Sequence, residues 1–469
     1  MDPNNIEKGS ARQLEAGSYS ETSSDLIMTE SIPENAESIS VGSDTIGLPV
    51  LEKASPNEVE DLNEGWRNPG WLSVISLFLV NFAIFGIVFT WGIFQNVYLT
   101  EVFTGQTDSF RISFVGTLSA TFIVGGGILV APLVQLIGHR NVMLIGGFLS
   151  PLGLIAASFA TAPWQLYLSE GALFGIGGCF LYNPSVYLPA QWFKKNRALA
   201  TGICSHSQLS GLGVCGTGIG GLGFSLITQK LIVTVGYRMA LRYLGIMCWV
   251  LLMVACALAR IRWPATGLKN YHWIDTSILT TNFVIYMFFG GTVIISYATP
   301  FFLLPQYAAT IGISAADAST VIGVMSACNA VSRVLLGYLA DRFGRINAMF
   351  LVTFLAGFFM MVVWIEVNSI GTLYAIGILY GLTGGGFLAL VPAVTAELVP
   401  VKNISQGMNF LFLSMVPGGL LGTPISGLLK DHAGFTAAIE FAGATTVLSA
   451  LILFILRQRL SHNKFFIKI

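Results

Sequence analysis

Residues 329–347 read Asn329-Ala-Val-Ser-Arg333-Val-Leu-Leu-Gly337-Tyr-Leu-Ala-Asp341-Arg342-Phe-Gly344-Arg345-Ile-Asn347. The segment is the end of an apolar helix, interrupted by one arginine, running into a tight turn that carries an aspartate and two arginines. Placing a guanidinium in a hydrocarbon-spanning helix costs roughly 3 kcal/mol on insertion scales and more by simulation, so the group must face a partner or a wet cavity. Arg333 is therefore a candidate site residue. The competing reading, in which it snorkels to the headgroups, has to bridge about two further helical turns to the loop. In the turn itself Gly337 lets two helices approach and Gly344 permits a reversal. Asp341 can sit near the positive end of another helix while Arg342 and Arg345 stay on the cytoplasmic side. Such a cluster can latch two halves of a protein shut on one face; its plainer role is to anchor a loop at the membrane surface.

Outward from this stretch, the composition is that of a membrane protein. Charged residues make up 10% of the chain and apolar ones 54%, with a mean hydropathy of +0.72, which excludes an ordinary soluble domain. The formal charge of zero conceals a split: residues 1–65 hold 14 acids and 3 bases, leaving the remainder basic. That acidic, Ser-rich stretch has too little apolar surface to fold and is expected to be a disordered cytoplasmic tail. The cysteines, Cys179, Cys204, Cys215, Cys248, Cys256 and Cys328, fall inside apolar spans without metal-ligand spacing, so they read as packing residues.

Apolar stretches of roughly twenty residues, enough to cross a bilayer, recur near 71–99, 113–136, 141–161, 164–190, 198–227 and 238–260. A second set follows near 277–304, 315–340, 346–367, 371–398, 405–429 and 435–456. The expectation is an all-α, twelve-helix transmembrane bundle of two pseudo-symmetric six-helix halves. Its parts are a tail at 1–65, a first half at 66–262, a connector at 263–276, a second half at 277–457 and a C-terminal tail at 458–469. An internal echo supports the division: Gln135-Leu-Ile-Gly138-His139-Arg140 follows the second span as Asp341-Arg-Phe-Gly344-Arg345 follows the eighth. Gln135 replaces the acid, so only the second half is expected to form a charged latch. Lysine and arginine bias places both termini in the cytoplasm, leaving Arg111, Lys230, Arg238, Arg242 and Lys430 on the other face. The sequon Asn403-Ile404-Ser405 then faces the cytoplasm and is predicted to stay unglycosylated.

The Gly337-x-Leu339-x-Asp341-Arg342-x-Gly344-Arg345 segment resembles the loop between the second and third helices of a six-helix bundle in the major facilitator superfamily. Before the fifth span, Gln191-Trp192-Phe193-Lys194-Lys195-Asn196-Arg197-Ala198-Leu199-Ala200-Thr201-Gly202 resembles a signature of the monocarboxylate porter family, and of its fungal branch in particular. Glu64-Gly65-Trp66-Arg67-Asn68-Pro69-Gly70-Trp71 is similar to a loosened form of that family's opening, and its tryptophans equally suit an interface anchor. Gly418-Gly419-Leu-Leu-Gly422-Thr-Pro424-Ile-Ser-Gly427 is similar to its Gly- and Pro-rich eleventh helix. The resemblance implies that Arg333 holds a substrate carboxylate. The family's animal members carry an aspartate where this chain has Asn329 and a lysine near Phe89, so their proton-coupling scheme does not transfer.

Helical spacing still puts Asn329 and Arg333 on one face. If transport is proton-coupled, Glu170 in the fourth span is the candidate carrier, since a carboxylic acid can take a proton across the barrier in neutral form; the alternative is a structural hydrogen bond near the rim. His206 is a further candidate, since an unperturbed histidine titrates near neutrality, although a membrane histidine is more often a neutral hydrogen-bonding residue. Gln208, Tyr182, Asn183, Asn282, Gln306 and Tyr307 are further polar candidates for a cavity. Glu397 is expected near Arg342 and Arg345, pairing when an inner gate closes. Gly216-Thr-Gly218-Ile-Gly-Gly221 fits a dinucleotide fingerprint by letter, but no strand precedes it; close helix packing accounts for those glycines.

The functional expectation is a secondary active transporter moving a small organic solute, a carboxylate-type anion, by alternating access. The rivals are an efflux transporter for a secondary metabolite and, from another class, a non-transporting nutrient sensor. An enzyme is disfavoured because no paired catalytic groups fall in any loop. The expected partners are a small-molecule substrate, the lipid bilayer and, under coupling, protons, with no nucleic acid, cofactor or metal. The chain is expected to act as a monomer in the plasma membrane.

Overall fold

A computed structural model of the protein describes residues 68–192, 212–262, 278–400 and 404–461. The acidic tail, the connector, His206, Gln208, Cys204 and most of the Trp192–Gly202 signature lie outside the described residues. Within them the chain is helical and carries no strand.

Twelve helical passes can be followed among the described residues. The first half holds α1 (Gly70–Val102), α2 in two arms (Ser109–Gly125 and Gly127–Ile137), α3 (His139–Ala157) and α4 (163–192). Leu212–Leu258 supplies α5 and α6 on either side of Gly236. The second half holds α7 (Thr281–Thr310), α8 (Ala315–Phe343), α9 (Arg345–Trp364) and α10 (Ile370–Leu398), and Ile404–Leu460 supplies α11 and α12 on either side of Gly434.

The two long helical stretches reverse at their glycines. On α5, Gly216 lies against Phe78 and Gly220 against Phe82, so it runs parallel to α1. On α6, Cys248 bonds Ala83 and Ser76 bonds Ala255, so it runs back. The second half repeats the pattern around α7: Ser414 meets Met287 and Gly422 meets Ile295 in the parallel sense, while Thr446 meets Ser296 and Arg459 meets Asn282 in the opposite sense. Gly236 and Gly434 adopt φ of 80° and 87°, a conformation that costs glycine little and other residues more. Gly138 (φ 85°) and Gly344 (φ 95°) similarly turn α2 into α3 and α8 into α9. The echo between the two loops is therefore one of backbone shape.

Local chemistry starts several helices at the end of the bundle away from those two turns. Asp108 accepts the Arg111 N–H at 2.8 Å, Ser314 that of Asp317 at 3.1 Å and Ser369 that of Thr372 at 3.4 Å, satisfying first-turn donors. One pass is not continuous. The arms of α2 meet at 51° around Gly125 and Gly126. Asn183 of α4 reaches into the break and donates to the Ile123 carbonyl at 3.0 Å, which corrects its assignment as a cavity contact. Two further polar candidates are also committed elsewhere: Tyr307 donates to the Val367 carbonyl at 2.7 Å and Asn282 accepts from Arg459.

Candidate functional site

Arg333 sits on the inner face of α8, where it is only 5% exposed. Its Nε–H donates to Asn329 Oδ1 at 2.9 Å, the contact that a four-residue helical spacing makes possible. Cys215 of α5 and Tyr297 of α7 both lie within electrostatic reach of the guanidinium, so the group stands where the two halves meet. Among the described residues no carboxylate pairs with it. Asn329 is fully buried, and the Tyr297 hydroxyl stands within hydrogen-bonding reach of both Asn329 and Arg333. A buried arginine, an amide N–H₂ and a phenol make a set dominated by donors. The donors of such a set outnumber its acceptors, and the ligand that satisfies them best is rich in acceptors.

Tyr297 also lines a void of about 80 Å³ between the halves, room for a few waters. Phe85 and Phe89 of α1, Thr121 of α2, Phe301 of α7 and Phe412 of α11 are among its other walls. Among the described residues no charged side chain lines it. Phe89 stacks on Phe301 across the interface, with ring centres 4.5 Å apart and planes within 11°. Tyr182, predicted to touch substrate, instead packs edge-on against Phe85 at 5.2 Å and does not line the void.

Glu170 lies elsewhere. It sits in a π-helical turn of α4, Tyr167–Leu173, is 3% exposed and accepts the Tyr98 hydroxyl at 3.2 Å. Tyr98 begins the π-helical end of α1 and packs against Tyr237 of α6. The carboxyl is thus enclosed within the first half and is not brought together with Arg333.

A family model described as the Major Facilitator Superfamily matches residues 70–351 and 283–466. The chain belongs to that superfamily. Similar curated proteins include the MFS-type transporter pynF of Aspergillus niger, 29% identical over 389 residues that make up 81% of this chain and 87% of the relative. The Agnestins efflux protein AgnL12 of Paecilomyces divaricatus is 26% identical over 83% of this chain and 87% of its own length. Among solved structures, a peptide transporter POT superposes with a TM-score of 0.66 at 13% identity, covering 83% of this chain and 95% of its own. The nucleoside transporter NupG does so with 0.64 at 14% identity, covering 83% of this chain and all of its own. These structures share the fold.

As a major facilitator protein, the chain is an integral multi-pass transporter, and the contacts between its halves decide which side is closed. Arg345 bridges Glu397 at 2.9 Å, but this joins α9 to α10 within the second half. Arg342 lies over the Tyr338 ring at 4.7 Å, and the side chain of Asp341 is outside the described set. Among the described residues this cluster forms no latch between the halves. Polar contacts across the interface gather at the opposite end. The Ser109 N–H, in the first turn of α2, donates to Asp431 Oδ2 at 3.0 Å. Lys430 Nζ donates to Ser109 Oγ and, at 2.9 Å, to Gln306 Oε1, while pairing with Asp431 at 2.9 Å. Nearby, Ser319 of α8 donates to Gln229 of α5 at 3.1 Å. Gln306 thus belongs to this clasp and not to the cavity. Sequence reading missed the clasp because its members are ordinary polar residues with no common motif.

Proposed function

We propose that the protein is a secondary active transporter for organic anions with an apolar body, and that Arg333 receives the anionic group while Asn329 and Tyr297 orient it. The observation that carries this reading is a buried guanidinium that has no acid beside it among the described residues and is in contact with Tyr297, a wall residue of the cavity between the halves. The motifs similar to the monocarboxylate porter family support the same assignment. Alternating access then consists of opening the cavity to one face and then the other, with the clasp holding one face shut. We assign that face to the outside, in keeping with cytoplasmic termini and a plasma-membrane location, and Glu170 to proton coupling. The test is uptake of radiolabelled benzoate and related acids into proteoliposomes. Arg333→Ala is expected to abolish flux while folded protein is retained by size-exclusion chromatography, with Arg333→Lys restoring part of it. Normal flux in Arg333→Ala would remove the arginine from the site.

Export of a secondary metabolite is the second reading. The almost wholly apolar and aromatic wall favours it, as does a relative named for agnestins efflux. Inside-out against right-side-out vesicles distinguish the direction.

A further inference from the structure

We infer that the solute is an aromatic acid bearing a second polar group, a hydroxyl or carbonyl, and that Thr121 is the residue that reads it. This rests on the anion-transport reading above and adds the class of the solute's body. The first observation is an unspent hydroxyl. Serines and threonines in apolar helices ordinarily return their hydroxyls to a carbonyl one turn back, and the neighbours of Thr121 do so. Thr117 bonds the Ser113 carbonyl and also Leu420 of the other half, and Ser119 bonds Gly116. Thr121 lines the cavity, yet its Oγ1 is buried with no partner among the described residues. Gly419 keeps the space beside it clear: a Cβ there would stand 3.2 Å from that oxygen. Of the polar groups on the cavity wall, Thr117 is spent and Tyr297 faces the arginine, so Thr121 is the one left to address the body of a solute.

The second observation concerns shape. Phe89 and Phe301 belong to different halves and lie face to face at 4.5 Å. When the halves part, two parallel ring faces are uncovered together. A planar ring entering between them recovers both contacts, which a saturated ring of the same size does not, because stacking depends on a flat π-system. Phe85 and Phe412 supply further aromatic wall. Thr121 is on α2 and Arg333 on α8, so the two ends of such a solute are held by opposite halves.

The experiment is competition binding by the reconstituted full-length protein with 4-hydroxybenzoate, benzoate and cyclohexanecarboxylate. Wild type is expected to prefer 4-hydroxybenzoate to benzoate by about tenfold, the scale set by one unmet buried hydroxyl, and benzoate to the saturated acid. Thr121→Val is expected to erase the preference for the hydroxylated acid, and Thr121→Ser to keep it. A preference that survives in Thr121→Val overturns the role of Thr121, and equal binding of benzoate and cyclohexanecarboxylate overturns the aromatic class. Arg333→Ala separates the two levels: if it binds all three acids as wild type does, the anion reading fails whatever Thr121 does. Absence of binding to wild type overturns both.

Discussion

Asp431→Ala is expected to open the clasped face. The carboxylate of Asp431 accepts the N–H at the start of α2 at 3.0 Å, a charge-assisted hydrogen bond at the positive end of a helix. Such bonds contribute roughly 1.5–3 kcal/mol. The side chain of Asp431 is 26% exposed, so screening reduces this to about 1–2 kcal/mol. The ion pair with Lys430 adds little to the difference between states, because the two residues are neighbours in the chain and stay together when the halves part. A loss of about 1–2 kcal/mol shifts the closed-to-open ratio by roughly 5- to 30-fold. The assay places a cysteine at Ala120 on the cavity wall in a chain whose six native cysteines are replaced by alanine. A membrane-impermeant maleimide is then applied from the clasped face. The labelling rate is expected to rise by that factor in Asp431→Ala and less in Asp431→Asn, which keeps an acceptor. An unchanged rate, or an equal rise in an Arg345→Ala control at the opposite end, would refute the clasp.

Two further outcomes are expected. Gly422→Ala places a methyl group against the Ile295 backbone, and since two packed helices cannot give way as a side chain does, it should cost about 1–3 kcal/mol, read as a lower unfolding midpoint in detergent; an unchanged midpoint would show that α7 and α11 can separate freely. Glu170→Gln should make uptake insensitive to an imposed pH gradient, and a gradient response that persists would leave Glu170 and Tyr98 as a purely structural pair.

The spans were legible because a bilayer demands long apolar helices, and their expected positions fall on the observed ones to within a few residues in most cases. The exceptions have local causes. α7 runs on through Pro305 to Thr310, since a proline with packed neighbours need not end a membrane helix, and α5 continues to the bend at Gly236. The inward placement of Arg333 was legible from cost alone, and Asn329 from helical spacing. The rest of the site was not: Thr121 and Tyr297 are common residue types, distinguished only in three dimensions, Thr121 by a hydroxyl with no partner among the described residues and Tyr297 by its place beside Arg333. Glu397 and Arg345 meet as expected, yet whether a pair spans one half or two is a matter of packing, which spacing along a chain does not record.

The 51° break in α2 gives the first lobe an elbow that the second does not have, since α8 runs unbroken from Ala315 to Phe343. The upper arm is strapped to the opposite lobe through Ser109 and Thr117, while α4 grips the joint through Asn183. The two lobes are therefore unequal where they otherwise match, one hinged at its second rod and the other straight there.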